Sequence, residues 1–533
     1  TKTAAKLKRE DRSIEVTVIT KDQDISYAGC GLPYYVGGFI ESREELIVNT
    51  PQKYSALTGV EVRTGKEAVA LDAEKKQVTV QDVQTGEKEV CSYDRLVVAV
   101  GASPAILPIE GKELAGVFKM RTPDDAEGIR TYAEQNNVKK AVVIGAGFIG
   151  LEAAENLQAK GIQVTVIDFA DQILPNIFDP EMALYAKRHL IRQGIRVLTG
   201  TKAEQIYERG TQGRVAGIKT SAGNLPCEMI IMAAGIRPNT EFLNDSGIEM
   251  FKGTILTDDQ MKTNLDDVYA AGDCVMVKNR LTGKRQWSPM GSSANLEGRT
   301  LAQVLAGAQK SYPGVLGTGV VKLPGLNAGR TGLTEAQAKE AGYDVVTALV
   351  PTDDKAHYYP EAGTFIVKMI ADRTSDRFLG LQVLGKGAVD KMTDIAVTAL
   401  TMKATLQDLE NMDLAYAPPF STAIHPFVHT VNVLRNKLSG SFETFTPQEY
   451  ENGEAEAYRM IDAALQPSLP GVEYLDLEKV TEPVEGLDKE EKLLLVCAKG
   501  KRAYMLQNRL KQFGYTQTKV LEGGTTFNQL EEE

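Results

Sequence analysis

The chain has 533 residues, 43% of them hydrophobic and 25% charged, with a formal net charge of −11. This length accommodates three or four domains, and the acidic balance argues against nucleic acid or an anionic membrane surface as a partner, so an anionic ligand would need a local basic patch. No apolar run approaches the roughly 18 residues of a membrane span, no signal-peptide pattern is present, and the five scattered cysteines (Cys30, Cys91, Cys227, Cys274 and Cys497) have neither CxxC nor metal-ligand spacing. A cytoplasmic protein with reduced thiols and no metal site is the expectation.

In chain order, TKTAAKLKRE reads as a helix carrying Lys6, Lys8 and Arg9, and IEVTVIT (14–20) as a strand. ISYAGCGLPYYVGG (25–38) sets one cysteine, Cys30, among glycines, aromatics and a proline. On these residues alone it is either a small buried filler or a reactive thiol. RLVVAVGASP (95–104) is a strand that ends at Gly101.

Residues 138–168, VKKAVVIGAGFIGLEAAENLQAKGIQVTVID, carry the strongest local signal. An apolar strand runs into Gly145-x-Gly147-x-x-Gly150. A helix follows with Leu151, Ala154 and Leu157 on one face, and a second apolar strand, QVTVI, ends at Asp168. Gly145 permits the tight turn, and Gly147 lets backbone N–H groups approach a pyrophosphate. Gly150 lets helix pack on strand, and the helix N-terminus adds partial positive charge. Asp168 would accept hydrogen bonds from a ribose diol and repel a 2′-phosphate, which favours NADH over NADPH. Phe148 and Ile149 complete this dinucleotide loop.

IIMAAGIRPN (230–239) repeats the strand–glycine form at Gly235, and VYAAGDC (268–274) leads to Gly272 and Asp273. The glycine-ended strands at 95–104 and 230–239 read as crossings between two nucleotide domains. Residues 311–440 hold strands and helices without another glycine loop. They include HYYP (357–360) and YAPPFSTAIHPF (416–427). In the tail, VEYLDL and KLLLVC read as strands, AYMLQNRLKQFGY as a helix with Tyr504, Leu506 and Leu510 inward, and TKVLEGG follows. Cys497 therefore opens a loop between a strand and a helix.

GAGFIGLEAAENL, VYAAGDC and AAGIRPN resemble the two-dinucleotide-fold flavoprotein disulfide reductases. SYAGCGLPYY, YAPPF (416–420) and a rhodanese-like tail are similar to the coenzyme A-disulfide reductase/NADH oxidase branch, and the tail resembles the fused persulfide-reductase subgroup. The likeness spans essentially the whole chain. It implies an α/β fold with two Rossmann-like dinucleotide-binding domains, an α+β dimerisation domain and a short rhodanese-like α/β domain. The expected boundaries are FAD-binding 1–110 and 253–310, NAD-binding 111–252, dimerisation 311–445, a linker at 446–470 and the rhodanese-like domain at 471–533. Implied cofactors are FAD and NADH, with NADPH possible, and coenzyme A as substrate or adduct. The implied cofactor residues are Gly101, Gly145, Gly147, Phe148, Ile149, Gly150, Asp168, Gly235, Gly272, Asp273 and Ala294. Such proteins open with a strand and glycine loop for the FAD pyrophosphate, and this chain begins at the helix beyond it, so a preceding segment of about a dozen residues is expected. The acid usual at the end of the second strand is replaced by Thr20, Lys21 and Asp22.

The resemblance also frames Cys30. The broader superfamily has a CxxxxC pair, but here position 35 is Tyr35. The chemistry would then use one thiolate against an external sulfur or oxygen partner, with a pKa lowered beside a flavin and a helix N-terminus. Lys8 and Arg9, with Lys6, match family positions for coenzyme A phosphates, although such residues also suit a solvated helix face. Ser26 matches a position near the thiol, and Gly29 stands where the family often has Asn. Tyr358 and Tyr416 match tyrosines that donate a proton or hydrogen bond to the leaving thiolate; Tyr358 also reads as a half-buried strand residue, with Tyr359 as its substitute. His425 before Pro426 falls where the cysteine-pair reductases place their acid–base, a position usually acidic in this branch. The CxxGxR loop of Cys497 would wrap N–H groups around a thiolate or persulfide, with Arg502 adding charge. Cys91, Cys227 and Cys274 read as core or surface residues.

The implied activity is NAD(P)H-dependent reduction of coenzyme A disulfide, coenzyme A persulfide or a related small-molecule disulfide or polysulfide in a homodimer with shared active sites, coupled to sulfur handling at Cys497. An NADH oxidase or peroxidase that cycles Cys30 through sulfenic acid is the alternative. A non-enzymatic redox sensor or sulfur carrier is the third reading.

Overall fold

The computed structural model describes residues 1–208, 210, 213–528 and 530. The chain divides into two compact units, residues 1–173 with 194–315, and residues 174–193 with 316–533.

In the first unit the run KAVVI, with four consecutive buried residues, forms the middle strand Lys140–Ile144. Short apolar runs buried on both faces are what a covered parallel sheet requires. The sheet order is Val117–Lys119, Met229–Met232, Lys140–Ile144, Gln163–Ile167, Arg196–Leu198, parallel throughout. The helix Phe148–Ala159 follows the middle strand. The rest of the unit carries two parallel strand pairs, Thr17–Ile19 with Glu61–Arg63 and Leu96–Val98 with Val268–Ala270. Val98, Val268, Ile255 and Leu301 are buried in one core there. The first helix, Lys2–Glu10, packs on Gly291–Leu305, where a Cβ on Gly298 would stand 3.0 Å from Thr3 Oγ1. The two strand–glycine crossings lie side by side, Ala102–Pro104 antiparallel to Ile236–Pro238.

The second unit is built on an antiparallel sheet ordered Gly319–Leu323, Leu326–Gly332, Phe378–Gly385, Thr364–Asp372, Val345–Asp353. Helices Val389–Thr401 and Pro426–Leu438 pack on it. Lys368, 2% exposed, is held in this core by Asp179 at 3.0 Å, by Glu335 at 2.7 Å and by Glu181. Residues 174–193, expected inside the nucleotide domain 111–252, therefore belong to this unit, because Asp179 and Glu181 are partners of its buried lysine.

The tail is a five-stranded parallel sheet ordered Thr444–Phe445, Thr518–Leu521, Leu493–Val496, Arg459–Asp462, Glu473–Tyr474. The helix Lys501–Gln512 buries Leu506 and Leu510 fully, with Tyr504 half-buried. The expected linker at 446–470 is corrected by this arrangement. It contains the helix Pro447–Glu451 and the strand Arg459–Asp462, which pairs on both edges. Only Ile461 is apolar and fully buried in that run, so its periodicity is too weak to mark a strand. The last residues of the expected domain, 531–533, lie outside the described residues. Among the described residues no helix is long and apolar enough to cross a membrane.

Candidate functional site

Cys30 lies in a tight turn between two short elements. Ser26–Tyr27 pairs with Ile47–Asn49, the chain turns through Gly29–Gly31, and the helix Leu32–Gly37 follows with Pro33 in its first turn. A Cβ on Gly31 would meet Leu46 Cδ2 at 3.1 Å and Ile40 Cδ1 at 3.2 Å, so the turn closes onto its own core. Leu32 and Val36 are buried at 2% and 1%, whereas Cys30 is exposed. The apolar residues anchor the short helix and leave the thiol outward. Ser26 is half-buried in the strand before it.

The helix rests on Phe148–Ala159. A Cβ on Gly37 would lie 2.3 Å from Asn156 Oδ1, so no larger residue allows this approach. One turn earlier on both helices, the Tyr34 hydroxyl donates to Glu152 Oε1 at 3.4 Å. Burial pushes Glu152 up to about 7, with Tyr34 opposing and Glu155 adding to the rise. Tyr34 itself is pushed up to about 12 by burial and then by Glu152.

The lowered pKa expected for Cys30 is not found in the chain. Burial first, then the carboxylates of Glu152 and Asp273, push the thiol up, and Arg121 opposes them. Arg121 is itself 3.4 Å from Asp273, which blunts its pull on the sulfur. Two carboxylates therefore outweigh one neutralised cation.

The glycine loop has the geometry its sequence predicts. Gly145 has φ 111°, and a Cβ there would fall 2.2 Å from Ala233 O. A Cβ on Gly150 would fall 1.9 Å from Gly145 O. Gly147, at the helix N-cap, faces open space. Leu151 N–H is the first amide to bond back, to Gly147 O at 3.0 Å, so the N–H groups of Phe148, Ile149 and Gly150 precede the helical ladder. This donor set and its open approach fit a pyrophosphate. Asp168 accepts from Ala146 N–H at 2.6 Å and Ala170 N–H at 2.8 Å, which fixes its carboxylate at the strand end. Gly235 lies beyond the neighbouring strand Met229–Met232.

A second cradle gathers Gly101, Gly272, Asp273 and Ala294. Gly272 N–H donates to Glu297 Oε2 at 2.6 Å, and a Cβ on Gly272 would be 3.7 Å from Ala294 Cβ. A Cβ on Gly101 would be 3.4 Å from Arg121 Nη2. Trp287 Nε1 donates to Asp273 O at 2.8 Å. Glu297, 1% exposed, is pushed up to about 7 by burial. These groups fit a second dinucleotide. Sequence reasoning missed Glu152, Tyr34 and Glu297; for Glu152 the available signal was an acid near the start of an apolar helix.

Lys8 makes contacts that its sequence does not foretell. Its amine donates to Arg12 O at 2.9 Å and Ile14 O at 2.8 Å and so ties down its own helix end, while Lys6 pairs with Glu10. Arg9 is exposed.

In the second unit Tyr358 and Tyr416 are 66% and 49% exposed, and the neighbouring Tyr416 hydroxyl pushes Tyr358 up. Tyr358 is thus not the half-buried strand residue of the alternative reading. His425 caps the helix Pro426–Leu438 by accepting Phe427 N–H at Nδ1, 3.2 Å away, and burial with Lys391 pushes it down to about 4. A neutral imidazole serves that cap.

Cys497 is 4% exposed, and its Sγ accepts Ala503 N–H at 3.4 Å. Thr525 N–H and Thr526 N–H close on Cys497 O and Ala498 O at 3.1 and 3.0 Å. Arg502 turns to Ala463 O at 3.3 Å and to Asp476 at 3.6 Å. Lys499 bonds to Asp353 at 2.5 Å. Of the other cysteines, Cys227 and Cys274 are buried and pushed up to about 12, and Cys91 accepts from Arg63 at 3.5 Å.

Residues 1–294 match the family model described as pyridine nucleotide-disulphide oxidoreductase, and residues 320–427 match the dimerisation domain of that family. The chain is 34% identical over 437 residues to the NADH oxidase of Methanocaldococcus jannaschii, covering 82% of this chain and 96% of that protein. It is 36% identical over 433 residues to the NAD(P)H sulfur oxidoreductase (CoA-dependent) of Pyrococcus furiosus, covering 81% and 96%. The solved structure of an NAD-dependent persulfide reductase from A. fulgidus superposes with a TM-score of 0.92 and 34% identity, covering 99% of this chain and 97% of that one.

Proposed function

The chain belongs to the pyridine nucleotide-disulphide oxidoreductase family, which uses FAD and NAD(P)H, and from that premise we propose that it reduces coenzyme A-linked disulfides or persulfides through Cys30. The observation that carries this reading is one exposed thiol on a rigid turn, with Tyr35 where a pairing cysteine would stand. The printed names of the Pyrococcus furiosus and A. fulgidus proteins support the substrate class.

FAD, when bound, supplies the two-electron relay between nicotinamide and sulfur. Gly145, Gly147, Phe148, Ile149 and Gly150 hold the nicotinamide dinucleotide's pyrophosphate, and Gly235 borders it. Asp168 takes the adenosine ribose hydroxyls and disfavours a 2′-phosphate. Gly101, Gly272, Asp273 and Ala294 hold the flavin dinucleotide. Ser26 orients the substrate sulfur beside Cys30, and Arg9 takes coenzyme A phosphate, with Lys8 retaining one of its three ammonium donors for the same task. In a homodimer, the exposed Tyr358–Tyr416 pair protonates the departing thiolate. The balance is one hydride (two electrons and one proton) from NADH and one further proton from solvent for each disulfide cleaved into two thiols. The parallel-sheet tail acts as a rhodanese-like sulfur carrier at Cys497, with Arg502 setting the charge of its loop.

Peptide mass spectrometry of the non-reduced protein tests this. A coenzyme A adduct on Cys30 is expected. An oxygen adduct there, without coenzyme A, would favour the oxidase reading that the Methanocaldococcus jannaschii protein's name supports.

A further inference from the structure

The Cys30 turn is packed at Gly31, but a Cβ on Gly29, just before the thiol, would meet nothing nearer than Tyr27 Cε2 at 3.9 Å. Backbone freedom at that glycine would let the sulfur wander unless the chain were fastened further out. Two arginines fasten it, and both do so to one helix, Pro123–Gln135. On the entry side, Arg43 Nη2 donates to Asp24 Oδ2 at 2.8 Å and, across to the helix, to Asp124 Oδ1 at 2.5 Å; its Nε is 3.3 Å from Glu127 Oε2. On the exit side, Arg130 of the helix donates to Glu41 O at 2.9 Å and reaches Tyr35 O and Ile40 O at 3.5 Å. Its guanidinium lies 4.8 Å over the ring of Tyr35, which is 7% exposed. The start of the same helix is anchored among the residues proposed to hold flavin. Arg121 N–H and Thr122 N–H donate to Asp125 Oδ2 at 3.0 and 2.9 Å, and the Arg121 side chain stands 3.4 Å from Asp273 Oδ2. We infer that Arg43 and Arg130 are positioning residues for Cys30: they clamp the thiol's turn, before and after it, to the helix Pro123–Gln135 and so set how far the sulfur stands from the flavin-holding residues. The inference rests on the proposed reduction at Cys30 and adds no chemical step to it.

Not every contact in the clamps carries equal weight. The side chains of Asp124 and Glu127 are 79% and 51% exposed, and ion pairs so open to water contribute little. Asp24, at 23%, and the carbonyls gripped by Arg130 are the sheltered partners. A guanidinium suits both places, because its planar fork meets several oxygens at once and stacks on a ring. Glu134 steadies Arg130 from behind, 3.5 Å from its Nε, and is itself held by Lys160 at 2.8 Å. The scale of the expected effect follows from geometry, since a misplacement of about 1 Å at a reacting atom can cost roughly a hundredfold in rate.

The test compares the FAD-loaded full chain with Arg130→Met, Arg130→Lys and Arg43→Met. Rates are read with coenzyme A disulfide, whose reduction needs Cys30, and with ferricyanide, which takes electrons from reduced flavin directly. Arg130→Met should lower kcat for the disulfide about tenfold or more while KM for NADH and the ferricyanide rate stay unchanged. Arg130→Lys keeps a cation over the ring and a donor for Glu41 O, so it should recover most of that loss. Independently of turnover, the pH profile of iodoacetamide alkylation at Cys30, followed by peptide mass spectrometry, should move to lower pH in both Met variants. A loosened sulfur leaves the burial and the carboxylates of Glu152 and Asp273 that push its thiol up against the pull of Arg121. Disulfide and ferricyanide rates that fall together would overturn the inference, because the arginines would then serve the fold alone. So would disulfide kinetics and an alkylation profile that match the wild type. If Arg130→Met loses FAD, Arg43→Met decides by the same readings. Disulfide reduction that survives Cys30→Ser would remove the redox assignment and this inference with it. Its loss in Cys30→Ser, beside wild-type behaviour of the arginine variants, would remove this inference alone.

Discussion

At Cys30 the surrounding residues disfavour the thiolate, since two carboxylates and burial outweigh Arg121. Cys30→Ser should abolish disulfide reduction and leave slow flavin-dependent oxygen reduction, measured as NADH oxidation with and without coenzyme A disulfide; parallel loss of both rates would contradict a dedicated role for the sulfur. At Asp168 the prediction concerns cofactor choice. Asp168→Ala removes the carboxylate that Ala146 and Ala170 orient, so the preference for NADH over NADPH should fall about tenfold or more, read from the kcat/KM ratio. Cys30 and Asp168 were legible because each sits in a local pattern of glycines and strand ends. Glu152 was not, because its partner Tyr34 is 118 residues away and no periodicity reports such a meeting. The helix-capping contacts of Lys8 were not legible for a related reason. Its carbonyl partners appear only once the helix end is built.

Two helices and a buried amine show what individual elements require. Gly37→Ala would drive a methyl group to 2.3 Å from Asn156 Oδ1, so the short helix behind Cys30 must shift. A loss of about 1–3 kcal/mol is expected, together with a moved alkylation profile at Cys30. Stability unchanged in urea titrations would show that the helices do not meet there. In the second unit, Lys368 joins a strand to Asp179, Glu181 and Glu335. Lys368→Met leaves these carboxylates without their cation, at an expected cost of about 3–5 kcal/mol. The pH dependence follows from Glu335, held down to about 2, chiefly by Lys368 and Lys339 against the opposing effect of burial. A depressed acid stabilises the fold fully above its ordinary value of 4.5, and that contribution is lost as pH falls through about 2. Urea midpoints measured across that acid window should decline in the wild type and much less in Glu335→Gln. The strands of this unit were visible as apolar runs. The ion cluster was not, since no local pattern distinguishes a buried lysine from an exposed one.

At the scale of the molecule, the tail is joined to the antiparallel sheet through Glu522, 3% exposed. Its Oε2 accepts Leu349 N–H at 2.8 Å, its Oε1 accepts Thr444 Oγ1 at 2.6 Å, and Lys437 pairs with it. Glu522→Ala removes the carboxylate partner of Lys437, which keeps only Thr347 O at 2.7 Å, and frees the Leu349 amide, so about 3 kcal/mol should be lost. The tail and the sheet should then melt apart in calorimetry, where the wild type should show one transition for this unit. A single unshifted transition in the variant would refute this coupling. The glycine loops and the Cys497 strand–loop–helix were legible as local patterns. The start of the tail was not, because the strand Arg459–Asp462 is recognisable only by its neighbours on both sides.

The strand order of the tail also sets a timetable for synthesis. Among the described residues the edge strand Thr444–Phe445 pairs with Thr518–Leu521, and the Leu349 amide donates to Glu522. Both leave the ribosome long before their partners. The growing chain therefore carries an open sheet edge and an unmet amide until translation has passed Glu522, and a ribosome that stalls earlier releases a product with both still exposed to quality control.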